Sequence, residues 1–286
     1  MKLMSFVSQN RSTFGLVKGE YVYDLGRRLG NACPDLLSAI KGGWLDRLES
    51  LVENSQPDFH VDDVVFLPVI PNAPRIFCAG LNYLAHRVEG NRPDTEVPVI
   101  FLRLNESQVG HNRPLVCPAE SDQFDFEGEI AIVIGKGGRR IPEDQAFEHV
   151  AGYSCYNDGS VRDWQLATNQ WTPGKNFDAT GGFGPWLVTT DELSTDRVLS
   201  LVTRLNGEEM QRTTTDMLTF SIPTLISFIS TFTALEPGDV IVTGTPGGVG
   251  LRRNPQVWMK EGDVVEVEVE GVGILKNTIV KETLRK

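Results

Sequence analysis

Cysteine is scarce in this sequence: 286 residues hold four, Cys33, Cys78, Cys117 and Cys155, and no C-x-x-C pair. That excludes a disulfide-stapled scaffold and favours reduced, buried thiols. No apolar run reaches the roughly 18 residues that a membrane span requires. The opening "MKLMSFVSQNRS" lacks an apolar core followed by a small-residue cleavage site, so no export signal is visible. Basic residues are outnumbered 27 to 38, giving a formal charge of −11. The acidic residues are spread along the chain, which argues against a nucleic-acid partner, since phosphate binding needs a basic face. The chain shows neither internal repeats nor low-complexity segments. The expectation is a soluble cytoplasmic protein with no membrane and no nucleic-acid partner.

What is present is a core: 40% of residues are hydrophobic and 23% charged, ordinary values for a globular protein. Residues 1 to 25 alternate short apolar runs with polar turns, as strands of a meander do. "DLLSAIKGGWLDRLESLVE" then spaces its leucines helically around Gly42-Gly43, and Pro68, Pro71 and Pro74 mark a boundary. We divide the chain into a small N-terminal α+β domain, 1–71, and a larger domain, 72–286. The latter is strand-rich, with helical patterns at "PEDQAFEHV", "VRDWQLAT" and "IPTLISFISTF". Strands and helices do not alternate regularly, so the pattern predicts a β-rich α+β fold over a doubly wound sheet.

Within "DFEGEIAIVIGK", Glu127 and Glu129 stand two apart on a predicted strand, so they share a face. Either that face is solvated, or the two carboxylates are buried with something positive between them. A divalent cation would serve, with Asp158 of "GYSCYNDGSVRDWQ" as a third oxygen ligand. Hard oxygen donors point to Mg²⁺ or Mn²⁺, with Ca²⁺ as an alternative and Zn²⁺ disfavoured.

In "GLNYLAHRVEG", His86 and Glu89 fall one helical turn apart. A carboxylate there can orient the imidazole as a general base, although a surface pair would look the same. Arg162 and Gln165 follow Asp158, and Lys175 sits before a Gly-rich turn. Arg suits a substrate carboxylate and Lys a developing oxyanion. Alternatively, Arg162 pairs with Asp163 and Lys175 is solvated. "LEPGDVIVTGTPGGVG" ends a strand in a turn whose N–H groups could hold an anion, but it lacks the G-K-[ST] of a phosphate loop.

The motifs GLNYxxHxxE, DFEGEIAIVIGK, GYSCYNDGSVRDWQ, GKNFD…GPW, NGExxQ and LEPGDVIVTGTPGGVG, in that order, resemble the fumarylacetoacetate hydrolase family from about Arg75 onward. The resemblance implies a mixed β-roll assembled as a homodimer, with Glu127, Glu129 and Asp158 holding Mg²⁺ or Mn²⁺. His86 and Glu89 would form the water-activating dyad and Lys175 the active-site lysine. Arg162, Gln165, Thr245, Tyr83 and Arg103 would contact substrate, Thr245 at the carboxylate of a pyruvyl group. Arg103 stands where many members have Lys, and Asn105-Glu106, His111 and Gly181-Gly182 also depart from the common pattern.

The activity implied is hydrolysis of a C–C bond in a 2,4-dioxo acid, giving pyruvate and a second acid. Maleylpyruvate, fumarylpyruvate or a diketo-deoxy sugar acid would fit, with a place in aromatic catabolism. Decarboxylation of oxaloacetate-like acids, or isomerisation of a hydroxymuconate-type dienoate, would use the same enolate chemistry. If the substrate is a dicarboxylate, Arg162 or Arg103 is the expected partner of its distal acid.

Overall fold

The computed structural model describes residues 1–91 and 95–283. Its backbone is a 12-stranded sheet that wraps against a 5-stranded sheet. Strand Gly128–Ile134 runs through the middle of the larger sheet, between Val150–Asn157 and Val240–Val242, antiparallel to both. Beyond Val240–Val242 come Ile76–Gly80 and, at the edge, Val99–Arg103.

Both faces of Gly128–Ile134 are covered, so the strand reads as a nearly continuous apolar run. Ile130, Ile132 and Ile134 join one core with Val267, Val269, Leu275 and helix Ile222–Phe232. Ala131 and Val133 join a second core with Leu3, Leu16, Leu36 and Ile40 from the N-terminal part. The strand therefore has no solvent face on which Glu127 and Glu129 could rest.

The first strand, Lys2–Ser8, pairs antiparallel with Gly181–Thr189 and with Arg11–Lys18. The meander of the first 71 residues thus extends the main sheet rather than closing a sheet of its own. The leucine-rich stretch forms Leu36–Lys41 and Leu45–Leu48, split at Gly42-Gly43 as the glycines require. "PEDQAFEHV" makes a 3₁₀ turn, Glu143–His149, instead of an α-helix. The smaller sheet orders Glu208–Thr214, Ser200–Leu205, Val264–Val269, Gly273–Lys281 and Leu115–Cys117. Among the described residues, no helix is long and apolar enough to cross a membrane.

A buried carboxylate cluster forms the candidate active site

The register of two strands builds the site. Gly128 lies opposite Asn157, which brings the residues just outside the ladder, Glu127 and Asp158, side by side. The Asp158 N–H donates to the Glu127 carbonyl at 2.8 Å, and the Glu127 N–H to Asn157 Oδ1 at 3.0 Å. Glu129, two residues along from Glu127, points to the same side. The three carboxylates are buried, and their oxygens lie within 4.8 Å of one another.

Two of the three are neutralised by neighbouring cations. Lys175, at the end of the short helix Thr172–Lys175, places Nζ 2.6 Å from Glu127 Oε2 and 2.6 Å from Asp158 Oδ2. Arg162 approaches Glu127 Oε1 at 2.6 Å, and Arg103 approaches Asp158 Oδ1 at 2.5 Å. Burial alone would raise the Glu127 carboxyl, but Arg162 and Lys175 outweigh it and hold it down to about 2. Glu129 is different. Its carboxylate accepts the Gly244 N–H at 2.5 Å, and burial, then Asp158 and Glu127, push its pKa well above the ordinary value. This is the uncompensated negative charge that a divalent cation would relieve, and an all-carboxylate donor set suits a hard cation. The residues fit such an ion.

Across the cavity, helix Leu84–Glu89 presents His86 with Nδ1 2.8 Å from Glu89 Oε1. The other Glu89 oxygen accepts the Gly248 N–H at 2.8 Å, so the carboxylate that orients the imidazole is itself fixed by the "GTPGGVG" turn. His86, Glu127, Glu129, Asp158, Arg162, Gln165, Lys175 and Thr245 line one cavity. Thr245 donates to the Gly128 carbonyl at 3.0 Å and accepts from Gln211 Nε2 at 2.8 Å, which fixes its hydroxyl oxygen.

The structure does not bring every expected substrate contact to the cavity. Arg103 lies behind Asp158, bonded also to Gly159 O and Thr180 Oγ1, and Tyr83 is buried at the start of the His86 helix; neither lines the cavity. Arg162 does not pair with Asp163, which accepts from Ser121 instead. Its partner is Asp125, at 2.8 Å from Nε, and Nη1 also donates to Gln165 Oε1 at 2.8 Å. Asp125 was missed by sequence reasoning although it shares the parity of Glu127 and Glu129. Trp171 and Phe101, an aromatic wall of the cavity, were missed as well, with no local signal to mark them.

The family model described as fumarylacetoacetate (FAA) hydrolase C-terminal matches residues 75–280. The chain belongs to the fumarylacetoacetate hydrolase family. It is 40% identical over 238 residues to the mitochondrial oxaloacetate tautomerase fahd2 of Xenopus laevis, covering 82% of this chain and 75% of that one. It resembles the solved fumarylacetoacetate hydrolase of Exiguobacterium antarcticum with a TM-score of 0.86 and 33% identity, over 99% of this chain and 100% of that one. A maleylpyruvate hydrolase from Sphingobium sp. SYK-6, solved with manganese(II) and pyruvate, superposes with a TM-score of 0.82 at 26% identity, over 99% and 100% of the two chains. Family members are thus enzymes of small molecules, with tautomerase and hydrolase activities among them, and the strand-rich α+β fold is the family's fold.

Proposed function

We propose that this chain is a divalent-metal-dependent enzyme of 2-oxo acids that makes and reprotonates an enolate at the carbon beside the ketone. The observation that carries this reading is His86, held by Glu89, lining one cavity with Glu127, Glu129 and Asp158. Mg²⁺ or Mn²⁺, held by those three carboxylates, would act as a Lewis acid for the carboxylate and ketone oxygens of the substrate.

The residues divide the remaining work. His86, held by Glu89, removes a proton from C3 through Nε2, and the electron pair moves onto the C2 oxygen as the enolate. Lys175 Nζ, freed from one of its two carboxylates, donates a hydrogen bond to that oxygen and stabilises its charge. Gln165, whose Oε1 accepts from Arg162, orients the carboxylate end through its amide N–H, and Thr245 joins it once its hydroxyl proton turns from the Gly128 carbonyl to the substrate. Return of the proton to oxygen completes a keto–enol exchange. Oxaloacetate is the substrate that this reading favours, because the tautomerase relative is 40% identical over most of both chains.

A second reading, hydrolysis of an acylpyruvate such as maleylpyruvate or fumarylpyruvate, is supported by the likeness to the maleylpyruvate hydrolase solved with manganese and pyruvate. Here His86 takes its proton from water, which attacks C4. The C3–C4 bond breaks, its electrons become the enolate of pyruvate, and a second acid leaves. One experiment separates the readings: the Mn²⁺-loaded protein is given enol-oxaloacetate, followed by loss of enol absorbance, and maleylpyruvate and fumarylpyruvate, followed by pyruvate release. Enol decay faster than with Mn²⁺ alone supports the first reading, and pyruvate release the second. Neither response, with the metal bound, overturns both.

A further inference from the structure

Among the described residues, three cations line the cavity: Arg162, Lys175 and Arg252. Arg162 is held by Asp125 and Glu127, and Lys175 by Glu127 and Asp158. Both lie against the carboxylate cluster and balance its charge. Among the described residues, Arg252 has no carboxylate partner, and its guanidinium makes one hydrogen bond, 3.3 Å from Nη2 to the carbonyl of Gly90.

The backbone of Arg252 is nonetheless firmly placed. It ends the short turn Gly250–Arg252, whose Gly250 and Leu251 N–H groups donate to Asp125 at 2.8 and 3.0 Å. The same Asp125 holds Arg162, so the turn is fixed to the frame of the metal site. Gly90 caps the helix that carries His86 and Glu89. Arg252 therefore stands on the rim with its main chain tied to the carboxylate cluster and its head resting on the base-bearing helix. Neighbouring Arg253 differs: its guanidinium is used up on Gly248 O at 3.1 Å and Met210 O at 2.6 Å.

We infer that Arg252 receives the second carboxylate of a 2-oxo dicarboxylic acid whose 2-oxo end lies at Glu127, Glu129 and Asp158. The inference rests on the proposed 2-oxo acid function and adds to it the residue that reads the distal acid and so selects a dicarboxylic over a monocarboxylic substrate. A guanidinium presents a planar fork that matches a carboxylate with two hydrogen bonds, and here its charge is not already neutralised. Arg162 retains an Nη2 with no hydrogen-bond partner among the described residues, but two carboxylates cancel its charge and it sits beside Glu127, at the near end of the substrate. A carboxylate bound by Arg252 would lie next to Gly90, so recognition of the distal acid and settling of the His86 helix occur at one point. Arg252 is a specificity residue in this scheme; it touches no reacting atom.

The test is a binding measurement that needs no turnover. The Mn²⁺-loaded wild type, Arg252→Met and Arg252→Lys are titrated calorimetrically with 2-oxoglutarate and 2-oxovalerate, and with 2-oxoadipate and 2-oxohexanoate. Each pair differs only in a terminal carboxylate. The wild type is expected to prefer the dicarboxylate of at least one pair by about tenfold, a modest ratio because the site is at the rim rather than fully desolvated. Arg252→Met should erase that preference while leaving monocarboxylate affinity unchanged, and Arg252→Lys should keep part of it. A preference that survives in Arg252→Met, or no preference in the wild type, overturns the inference. Failure of the underlying function has a different signature: no 2-oxo acid of either kind binds in a Mn²⁺-dependent way.

Discussion

Arg162 joins two carboxylates of different duty, donating from Nε to Asp125 at 2.8 Å and lying at 2.6 Å from Glu127 through Nη1. Asp125 meanwhile accepts from the N–H groups of Gly250 and Leu251. One buried ion pair thus ties the segment that leads into the central strand, the helix Arg162–Leu166 and the turn beyond Thr245 into a single frame. Removing Asp125 leaves the buried Arg162 to Glu127 alone among the carboxylates named here and takes the acceptor from the buried Gly250 and Leu251 N–H groups. Asp125→Ala should therefore lower stability by about 3–5 kcal/mol, read as a fall in the urea midpoint, and should weaken Mn²⁺ binding as Arg162 shifts. A midpoint within experimental error of wild type would remove Asp125 from this role.

Glu129 is the carboxylate without a cation, and its pKa is pushed up by burial and by Asp158 and Glu127. Glu129→Gln should relieve that repulsion. In a chelator, the variant should be at least as stable as wild type, whereas Glu127→Gln should be less stable because it removes one of the two carboxylates that hold each of Lys175 and Arg162. With Mn²⁺ added at about 100 times its Kd, wild type should gain about 2.7 kcal/mol by mass action, and Glu129→Gln much less. Paired urea titrations with and without Mn²⁺ decide this; an equal metal-dependent gain in the variant would count against the ligand set.

Much of this site could be read from local pattern. The two-residue spacing of Glu127 and Glu129 gave their shared face, and the i,i+3 spacing of His86 and Glu89 gave the dyad that the structure closes at 2.8 Å. What local pattern could not give is who meets whom across the fold. Arg162 takes Asp125, 37 positions away, over its neighbour Asp163, because the strand register sets Asp125 beside it while Asp163 turns toward Ser121. Lys175 is buried between two acids rather than solvated, which only its approach to Glu127 and Asp158 explains. The N-terminal meander was legible as strands, but its pairing with Gly181–Thr189 depends on contacts nearly the whole chain apart. Arg252 carries no local signal, since an arginine in a turn is ordinary until the cavity beside it is seen.

His111 offers a pH test away from the carboxylate cluster. Its Nδ1 accepts the Lys276 N–H at 3.1 Å, and its ring packs edge-on against Phe66. Burial, aided by Lys276, lowers its pKa from 6.5 to about 4. Between those values the unfolded chain binds a proton that the folded protein refuses, so stability is full above pH 6.5 and declines as pH falls toward 4. The loss attributable to this group is at most about 3 kcal/mol. His111→Gln should flatten the difference between urea midpoints at pH 7 and pH 5; an unchanged difference would assign the acid sensitivity elsewhere.

Replacing His86 by Ala should leave Mn²⁺ and 2-oxo acid affinity within about twofold while lowering turnover by about 10²-fold or more, the usual scale for a general base. Glu89→Gln should fall between, because the imidazole keeps a hydrogen-bonded neighbour but loses the charge behind it. Calorimetry alongside turnover separates lost chemistry from lost binding. A His86→Ala protein as active as wild type would leave the dyad without a catalytic part.

The central claim, that His86 moves the C3 proton of a 2-oxo acid at the carboxylate cluster, has a direct readout that is independent of which product forms. Oxaloacetate and pyruvate are incubated in D₂O with the Mn²⁺-loaded protein, and deuterium entering C3 is followed by NMR. The account predicts wash-in faster than with Mn²⁺ alone for at least one of them, abolished by chelator and by Glu129→Ala, and reduced about 10²-fold or more in His86→Ala. Exchange no faster than the free ion, or equally fast without His86, would contradict it.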